Sequence, residues 1–325
     1  MVAVYTRATM CTDPALRVQG YDVAKTFGAH FSHIAPVWFL VRMSDKGEVT
    51  VVGDHDVDRG WVADVRRNAP GIKVVPRFSL DGFGGQQLGA LFSSVESLRG
   101  FAKLLARETL VGKYGDLFDG LVLEIGIFDM GQIREPLVFL LAELANELRL
   151  AGKEFFFVIP PQHQGSPVLF DGDLFRAALP YVDGFSLMTY DYSNAMRPGP
   201  NAPVAWIRDC VATLSPKSAE EARKILVGLN FYANDFAIEP RGPHSPLLGR
   251  DVLDRLRSHS VAMLDWDGET AEHSFTYTSA DGVRHLVHVP TPASIAARVA
   301  LARRMGASIS VWEIGQGLDG YFRAL

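Results

Sequence analysis

The chain is poor in cysteine and lacks a long apolar run. Its 325 residues include two cysteines, Cys11 and Cys210, with no Cys-x-x-Cys pair and no Cys/His cluster, so we expect no structural zinc site. The longest apolar runs, such as "PLVFLLAELA" at 136–145, are interrupted by acids and are too short to span a bilayer. We therefore expect no membrane partner.

The sequence also lacks a basic excess, and the start of the chain as given has no recognisable leader pattern. The net charge is −5 and no basic stretch offers a footprint for phosphates, which argues against nucleic acid as a partner. The opening "MVAVYTRATMCTDP" has no basic region followed by an apolar one, so no signal peptide is predicted. The histidines show no metal-ligand spacing. We expect neither a metal nor a cofactor.

Short apolar runs alternate with longer amphipathic segments along the chain, as expected for parallel strands buried on both faces and separated by helices. The candidate strands are 2–6, 31–40, 72–78, 118–125, 154–160, 183–190, 225–232 and 307–313, and the clearest helical patterns are 54–70, 93–110, 136–153 and 291–307. A doubly wound sheet also alternates in this way. Eight strands over this length favour an α/β fold of the (β/α)8 TIM barrel type.

One segment interrupts the alternation between the seventh strand and its helix. Within it, "SFTYTSADGVRHLVHVPT" has two alternating runs around Ala280-Asp281-Gly282, which is a hairpin signal. We predict that residues 1–325 form a single TIM-barrel domain with a small α+β insertion at about 233–290. In this order Cys11 and Cys210 follow non-neighbouring strands, so no disulfide between them is expected.

The functional site of a TIM barrel lies at the C-terminal ends of its strands. The residues there that can carry chemistry are Trp38, Arg77, Glu124, Tyr190, Asp191, Tyr232, Trp312 and Glu313. Strand alternation places Glu124, Tyr190 and Trp312 on inward faces, near one another at the barrel mouth. A cavity lined by aromatic rings with a few polar groups suits a sugar.

Each of these residues also has a structural interpretation. Glu124 either contacts a ligand or forms a buried pair with a neighbour such as Arg77, because a buried acid needs a partner. Trp312 and Tyr190 either line a sugar subsite or pack in the barrel core. Trp266, in the insertion, either forms a subsite wall or anchors the hairpin.

Four motifs fall on predicted strands: "FDGLVLEIG" (118–126), "SLMTYDY" (186–192), "GLNFYA" (228–233) and "SVWEIG" (310–315). They resemble the motifs of glycoside hydrolase family 18, the chitinases, on strands four, six, seven and eight. The runs "GYDV", "PGPNAP" and "WEIGQGLD" resemble its chitinase domain-containing branch. The resemblance implies a TIM barrel with an α+β insertion, an oligosaccharide ligand, a protein receptor as a further partner, and a secreted or lysosomal location.

The strand-four motif of the family is D-G-x-D-x-D-x-E, and its glutamate is the general acid. Position by position, Asp119 matches the first aspartate, Val122 and Glu124 fall on the next two, and Gly126 falls on the glutamate. The family's chemistry is substrate-assisted and still needs that acid, which contributes about 10²–10⁴-fold to the rate. Glu124 lies one inward position deeper, about 6.6 Å along the strand.

The sequence therefore predicts no catalytic residue. We expect a chitinase-like lectin that recognises chitooligosaccharides or related N-acetylhexosamine glycans without hydrolysis. Its predicted carbohydrate-binding residues are Trp38, Glu124, Tyr190, Asp191, Tyr232, Trp266 and Trp312. Two alternatives stay open: an active glycosidase with a relocated carboxylate (Glu124, Asp191 or Glu313), and a protein-interaction scaffold whose mouth has no sugar role.

Overall fold

The computed structural model describes residues 2–6, 19–126, 130–163, 165–259, 261 and 263–325, so Cys11 and Asp129 lie outside the described residues. The strands are β1 (Val2–Thr6), β2 (His33–Pro36), β3 (Phe39–Met43), β4 (Val49–Val52), β5 (Lys73–Val74), β6 (Arg77–Leu80), β7 (Gly120–Glu124), β8 (Glu154–Ile159), β9 (Gly184–Leu187), β10 (Ile225–Asn230), β11 (Ala233–Glu239), β12 (Arg241–Leu247), β13 (Asp265–Asp267), β14 (Glu272–Thr278), β15 (Arg284–Val289) and β16 (Ser308–Trp312).

The α-helices overlap the predicted helical segments and add shorter ones. They are α1 (Gln19–Phe27), α2 (Arg59–Asn68), α3 (Gly85–Leu91), α4 (Val95–Ala102), α5 (Arg134–Leu150), α6 (Gly172–Ala178), α7 (Val204–Leu214), α8 (Ala219–Lys224), α9 (Gly249–Ser258) and α10 (Pro292–Arg304). α4 continues as a π-helix over Lys103–Lys113. Ser94 caps α4 by accepting the backbone N–H of Ser97 at 3.1 Å, which satisfies one of the unpaired N–H groups of the first turn.

The parallel strands close into a barrel, which confirms the predicted fold. Their hydrogen-bonded order is β3-β6-β7-β8-β9-β10-β16-β1-β2-β5. β2 and β3 are two parts of one interrupted barrel strand, and β5 and β6 are two parts of the next. The order therefore begins (β3-β6) and ends (β2-β5) on the same two barrel strands, which closes the ring. Backbone hydrogen bonds also join the parts where the ring closes. The N–H of Val75 donates to the carbonyl oxygen of Ile34 at 2.8 Å, and the N–H of Asp119 donates to that of Val74 at 2.8 Å.

The segments 31–40 and 72–78, predicted as unbroken strands, are each divided in two. Pro36 ends β2, and Pro76 immediately precedes β6. Proline has no N–H to donate to a ladder, so regular pairing is interrupted beside each of these residues. β4 adds an antiparallel partner to β3.

Two apolar layers lie on opposite faces of the barrel strands. A small inner core fills the barrel, formed by Ala35, Val75, Val122, Phe156, Val158 and Leu226. A much larger outer core lies between the strands and the helices and includes Leu121 and Leu123 from β7. Neighbouring residues of β7 thus face opposite layers, which explains why its sequence is almost continuously apolar.

The segment predicted as an insertion forms a separate antiparallel sheet of order β12-β11-β15-β14-β13, with α9 between β12 and β13. The predicted hairpin joins β14 to β15, and its turn includes Gly282 at φ +83°. Glycine adopts this left-handed conformation without the steric cost of a Cβ. An insertion between strand seven and its helix is therefore confirmed. That residues 1–325 act as one domain stays a prediction.

Candidate functional site

The floor of the barrel mouth is Trp312, the last residue of β16. Trp312 and Met188 are partly buried and pack on the inner core of the barrel. Two positions earlier in the chain, on β9 and β16, the hydroxyl groups of Ser186 and Ser310 lie 3.2 Å apart in a buried contact inside the barrel. The inward faces of β9 and β16 are therefore those that strand alternation predicts, and Trp312 separates the packed interior from the mouth.

An ion pair lies beside this floor. Arg77, the first residue of β6, donates from Nε to Oε2 of Glu124 at 2.7 Å, and its Nη2 lies 2.5 Å from the same oxygen. The guanidinium carbon is 5.0 Å from the centre of the Trp312 ring, a cation–π distance. The two side chains are 11% and 21% exposed, so the pair is partly screened from water. Glu124 thus has the predicted partner, Arg77, and lies at the mouth as well.

Gly126 lies just beyond the end of β7 with φ +94°, a conformation that L side chains rarely adopt. A Cβ added there would meet no heavy atom of the described residues within 4 Å. The position is therefore open in space but restricted in backbone conformation, and it carries no proton donor.

The opposite side of the mouth holds two tyrosines and an aspartate. The Tyr190 and Tyr232 rings meet edge to face, with centroids 6.4 Å apart. The Tyr232 hydroxyl donates to Oδ1 of Asp191, whose backbone N–H donates to the Asn201 side chain at 2.6 Å. Burial, followed by the charge of Asp191, raises the pKa of Tyr232 well above its ordinary value. Tyr232 therefore stays protonated and holds the Asp191 carboxylate in place.

A buried network behind this group includes a residue that the sequence analysis missed. Glu272, at the start of β14, is 5% exposed and accepts the backbone N–H groups of Asn201 at 2.9 Å and Ala202 at 2.6 Å. Arg298, on α10, donates to it at 2.8 Å. The insertion thus holds the loop that carries Asn201 and, through it, Asp191. No spacing pattern points to Glu272, because its loop partner lies 71 positions earlier.

A family model described as "Glycosyl hydrolases family 18" matches residues 39–317. The chain belongs to glycosyl hydrolase family 18. Solved structures of other proteins share its fold, among them two chitinases and a spore cortex-lytic enzyme. A chitinase from Chromobacterium violaceum has 21% identity and a TM-score of 0.78, with 100% of this chain and 97% of that chain covered.

The Bacillus cereus spore cortex-lytic enzyme SleL has 16% identity and a TM-score of 0.76, covering 99% of this chain and 72% of that chain. A family 18 chitinase from Cycas revoluta, solved with (GlcNAc)3, has 17% identity and a TM-score of 0.74, covering 99% and 97%. The resemblance stated from the sequence motifs is confirmed for the family. The assignment to the chitinase domain-containing branch stays a prediction.

Trp38 does not lie in the predicted carbohydrate-binding site. Its side chain is 2% exposed and packs in the outer core, with its ring centroid 5.5 Å from that of Trp61 on α2. The indole N–H donates to the Tyr21 hydroxyl on α1 at 2.5 Å. Trp38 follows the interruption after β2, and both it and Phe39 face the helices. The expectation that it lines the mouth is therefore wrong.

Two further candidates lie away from the Arg77–Glu124 pair. Trp266 is on β13 of the insertion, 46% exposed, with its ring 4.7 Å from His273 on β14. Glu313 is 3% exposed, and its carboxylate accepts the backbone N–H of Gly315 at 3.2 Å. A relocated proton donor at Glu313 stays one of the alternatives that the sequence leaves open.

The described ranges contain neither a metal-binding cluster nor a membrane-spanning helix. In that part of the chain no three His, Cys, Asp or Glu side chains are grouped so that they could hold a metal ion. None of the helices described above combines the length and apolarity needed to cross a bilayer.

Proposed function

We propose that this family 18 protein binds N-acetylhexosamine oligosaccharides, chitooligosaccharides among them, at the barrel mouth and does not hydrolyse them. The observation that carries the proposal is Gly126, which stands at the general-acid position of the strand-four motif. Glycine supplies no proton, and loss of a positioned general acid costs about 10²–10⁴-fold in rate. The barrel and its insertion would act as one unit, because Glu272 holds the loop next to Asp191.

The remaining carboxylates at the mouth support binding better than catalysis. The Nε and Nη2 groups of Arg77 both contact Oε2 of Glu124, so Oε1 can accept a hydrogen bond from a glycan hydroxyl or amide. Asp191 accepts from Tyr232 and is exposed at the mouth. Trp312 offers an apolar floor for the ring face of a sugar. Trp266 is proposed as a subsite wall from its exposure.

The experiment pairs a hydrolysis assay with calorimetric binding of chitotriose and chitotetraose. We expect binding without turnover, and Trp312→Ala should weaken binding by at least about ten-fold because it removes the floor. The matched control is Trp61→Phe, since Trp61 is buried against α1 and remote from the floor. Equal affinity for wild type and Trp312→Ala would reject the subsite.

Two results would point to the alternatives. Turnover of chitin oligomers by the wild-type protein that Glu124→Gln destroys would establish a hydrolase with a relocated acid. Absence of any glycan binding by the folded protein would favour the protein-interaction scaffold.

A further inference from the structure

A cavity lies between the loop after β9, one face of α7 and the turn that joins β13 to β14. Its volume is about 450 Å³, within the range of about 300–1,000 Å³ that is typical of small-molecule sites. The apolar part of its lining consists of Tyr192, Pro200, Pro203, Ala205 and Trp206. We name this cavity the shoulder pocket.

Aromatic contacts hold the wall of the shoulder pocket in a fixed position. The Trp206 indole N–H donates to the backbone oxygen of Gln162 at 2.6 Å, and the ring centroid lies 5.1 Å from that of Tyr192. Arg197 covers the Tyr192 ring at 5.4 Å. The wall is therefore preorganised before any ligand arrives, which lowers the entropic cost of binding.

Three neutral polar side chains of the lining, Thr213, Thr270 and Gln162, donate their hydrogen bonds to the protein itself. Thr213 donates its hydroxyl to the backbone of Asp209 at 3.0 Å, and Thr270 donates to the carboxylate of Asp267 at 2.8 Å. The Gln162 amide nitrogen donates to two backbone carbonyl groups, each at 2.9 Å. These three side chains can therefore still accept hydrogen bonds from a ligand.

The charged groups of the lining are carboxylates. Asp209 and Glu269 both line the pocket, and the residues described there include no lysine, arginine or histidine. Arg208 lies beside Asp209 but binds it through Oδ1, at 3.2 and 3.1 Å, which leaves Oδ2 able to accept. Burial and then the charge of Arg197 lower the pKa of His163, behind the aromatic wall, so this imidazole is neutral near pH 7.

We propose that the shoulder pocket binds a sugar that carries a protonated primary amine, such as a glucosamine unit. The ammonium group supplies positive charge and three donors to a lining that offers acceptors, and the hydroxyl groups supply further donors. The apolar face of the pyranose ring fits the proline and aromatic wall. N-acetylation would remove the charge, so the matched acetylated sugar should bind more weakly.

A lysine side chain is the competing ligand with the same cation. It would satisfy Asp209 and Glu269 but would leave the neutral acceptors Thr213, Thr270 and Gln162 without donors. The number of acceptors around the pocket therefore favours the polyhydroxylated amine. The proposal does not depend on glycan binding at the mouth, which uses other residues.

The test is calorimetric titration with methyl β-glucosaminide and methyl N-acetyl-β-glucosaminide, in low-salt buffer below pH 7, where the amine is protonated. We expect the amine to bind at least about ten-fold more tightly than the acetylated sugar. The double variant Asp209→Asn/Glu269→Gln should lose at least that factor, and about 0.5 M NaCl should weaken the wild-type complex. Both titrations are repeated on Trp312→Ala, so that binding of the acetylated sugar at the mouth does not enter the comparison.

Two control variants keep the test decisive. Asp45→Asn/Glu220→Gln removes the same net charge from exposed positions outside the pocket and should bind the amine as wild type does. Ala205→Trp, an exposed lining position, should fill the pocket and abolish binding. Equal affinity for the two sugars, unchanged affinity in either pocket variant, or equally tight binding of Nα-acetyl-lysine amide would overturn the proposal.

Discussion

The ion pair that ties the insertion to the barrel gives the most demanding prediction. Glu272→Gln keeps the side-chain shape but removes the negative charge, so Arg298 is left buried without an anion. The two side chains are 6% and 4% exposed. Removing one partner of such a pair costs about 3–5 kcal/mol. Arg298 keeps its bonds to the carbonyl groups of Ala271 and Ser294, both at 2.8 Å, so we expect about 3 kcal/mol.

Urea unfolding near pH 7 would measure this change in the free energy of unfolding. The matched control is Glu143→Gln, whose carboxylate lies 3.4 Å from Arg99 on the protein surface, with side chains 26% and 51% exposed. An exposed pair contributes about 0–1 kcal/mol, so this variant should lose little. Equal losses for the two variants would refute the reasoning, because they would mean that burial does not set the cost.

The pH dependence supplies a second check on the same variant. Burial alone would raise the pKa of Glu272, but His288, the charge of Arg298 and the backbone N–H groups of Ala202 and Asn201 together lower it. A carboxyl with a lowered pKa in the folded state stabilises the fold at pH values above its unfolded pKa, about 4.3, and loses this contribution as pH falls through the folded pKa. The difference between wild type and Glu272→Gln should therefore be largest near neutral pH and shrink in acid. A difference that grows in acid would contradict the assignment.

Two further predictions concern backbone conformation and thiol burial. Gly126→Ala should destabilise the protein by about 1–2 kcal/mol in urea unfolding, because φ is +94° there, although the added methyl meets no described atom. Gly89→Ala, exposed within α3 and equally open, should instead stabilise by about 0.5–1 kcal/mol; the same sign for both would count against the conformational argument. Cys210 is 2% exposed and burial raises its pKa to about 12, so in a Cys11→Ser variant the thiol should react with Ellman's reagent only on unfolding. Rapid reaction of the native variant would show that the thiol is accessible.

The sequence by itself determined the barrel and the position of the insertion, and the structure confirms both. Period-two alternation fixes which residues of β7 and β16 point inward, because successive side chains of a strand face opposite sides. That rule places Glu124 and Trp312 at the mouth. From motif spacing we predict that Gly126 stands where the family has its proton donor. Each of these inferences depends only on residues that are close together in the chain.

Only the tertiary structure decided which residues that are distant in the chain contact one another. Glu124 pairs with Arg77 across neighbouring strands, 47 positions apart, and the sequence could name this pair only as one alternative. Trp38 faces the helices because an interruption between β2 and β3 breaks the alternation that a continuous strand would have kept. Glu272 reaches Asn201 across 71 positions, from the insertion to the loop after β9. Contacts of this kind arise from how separate elements pack, and no local pattern of apolar and polar residues encodes them.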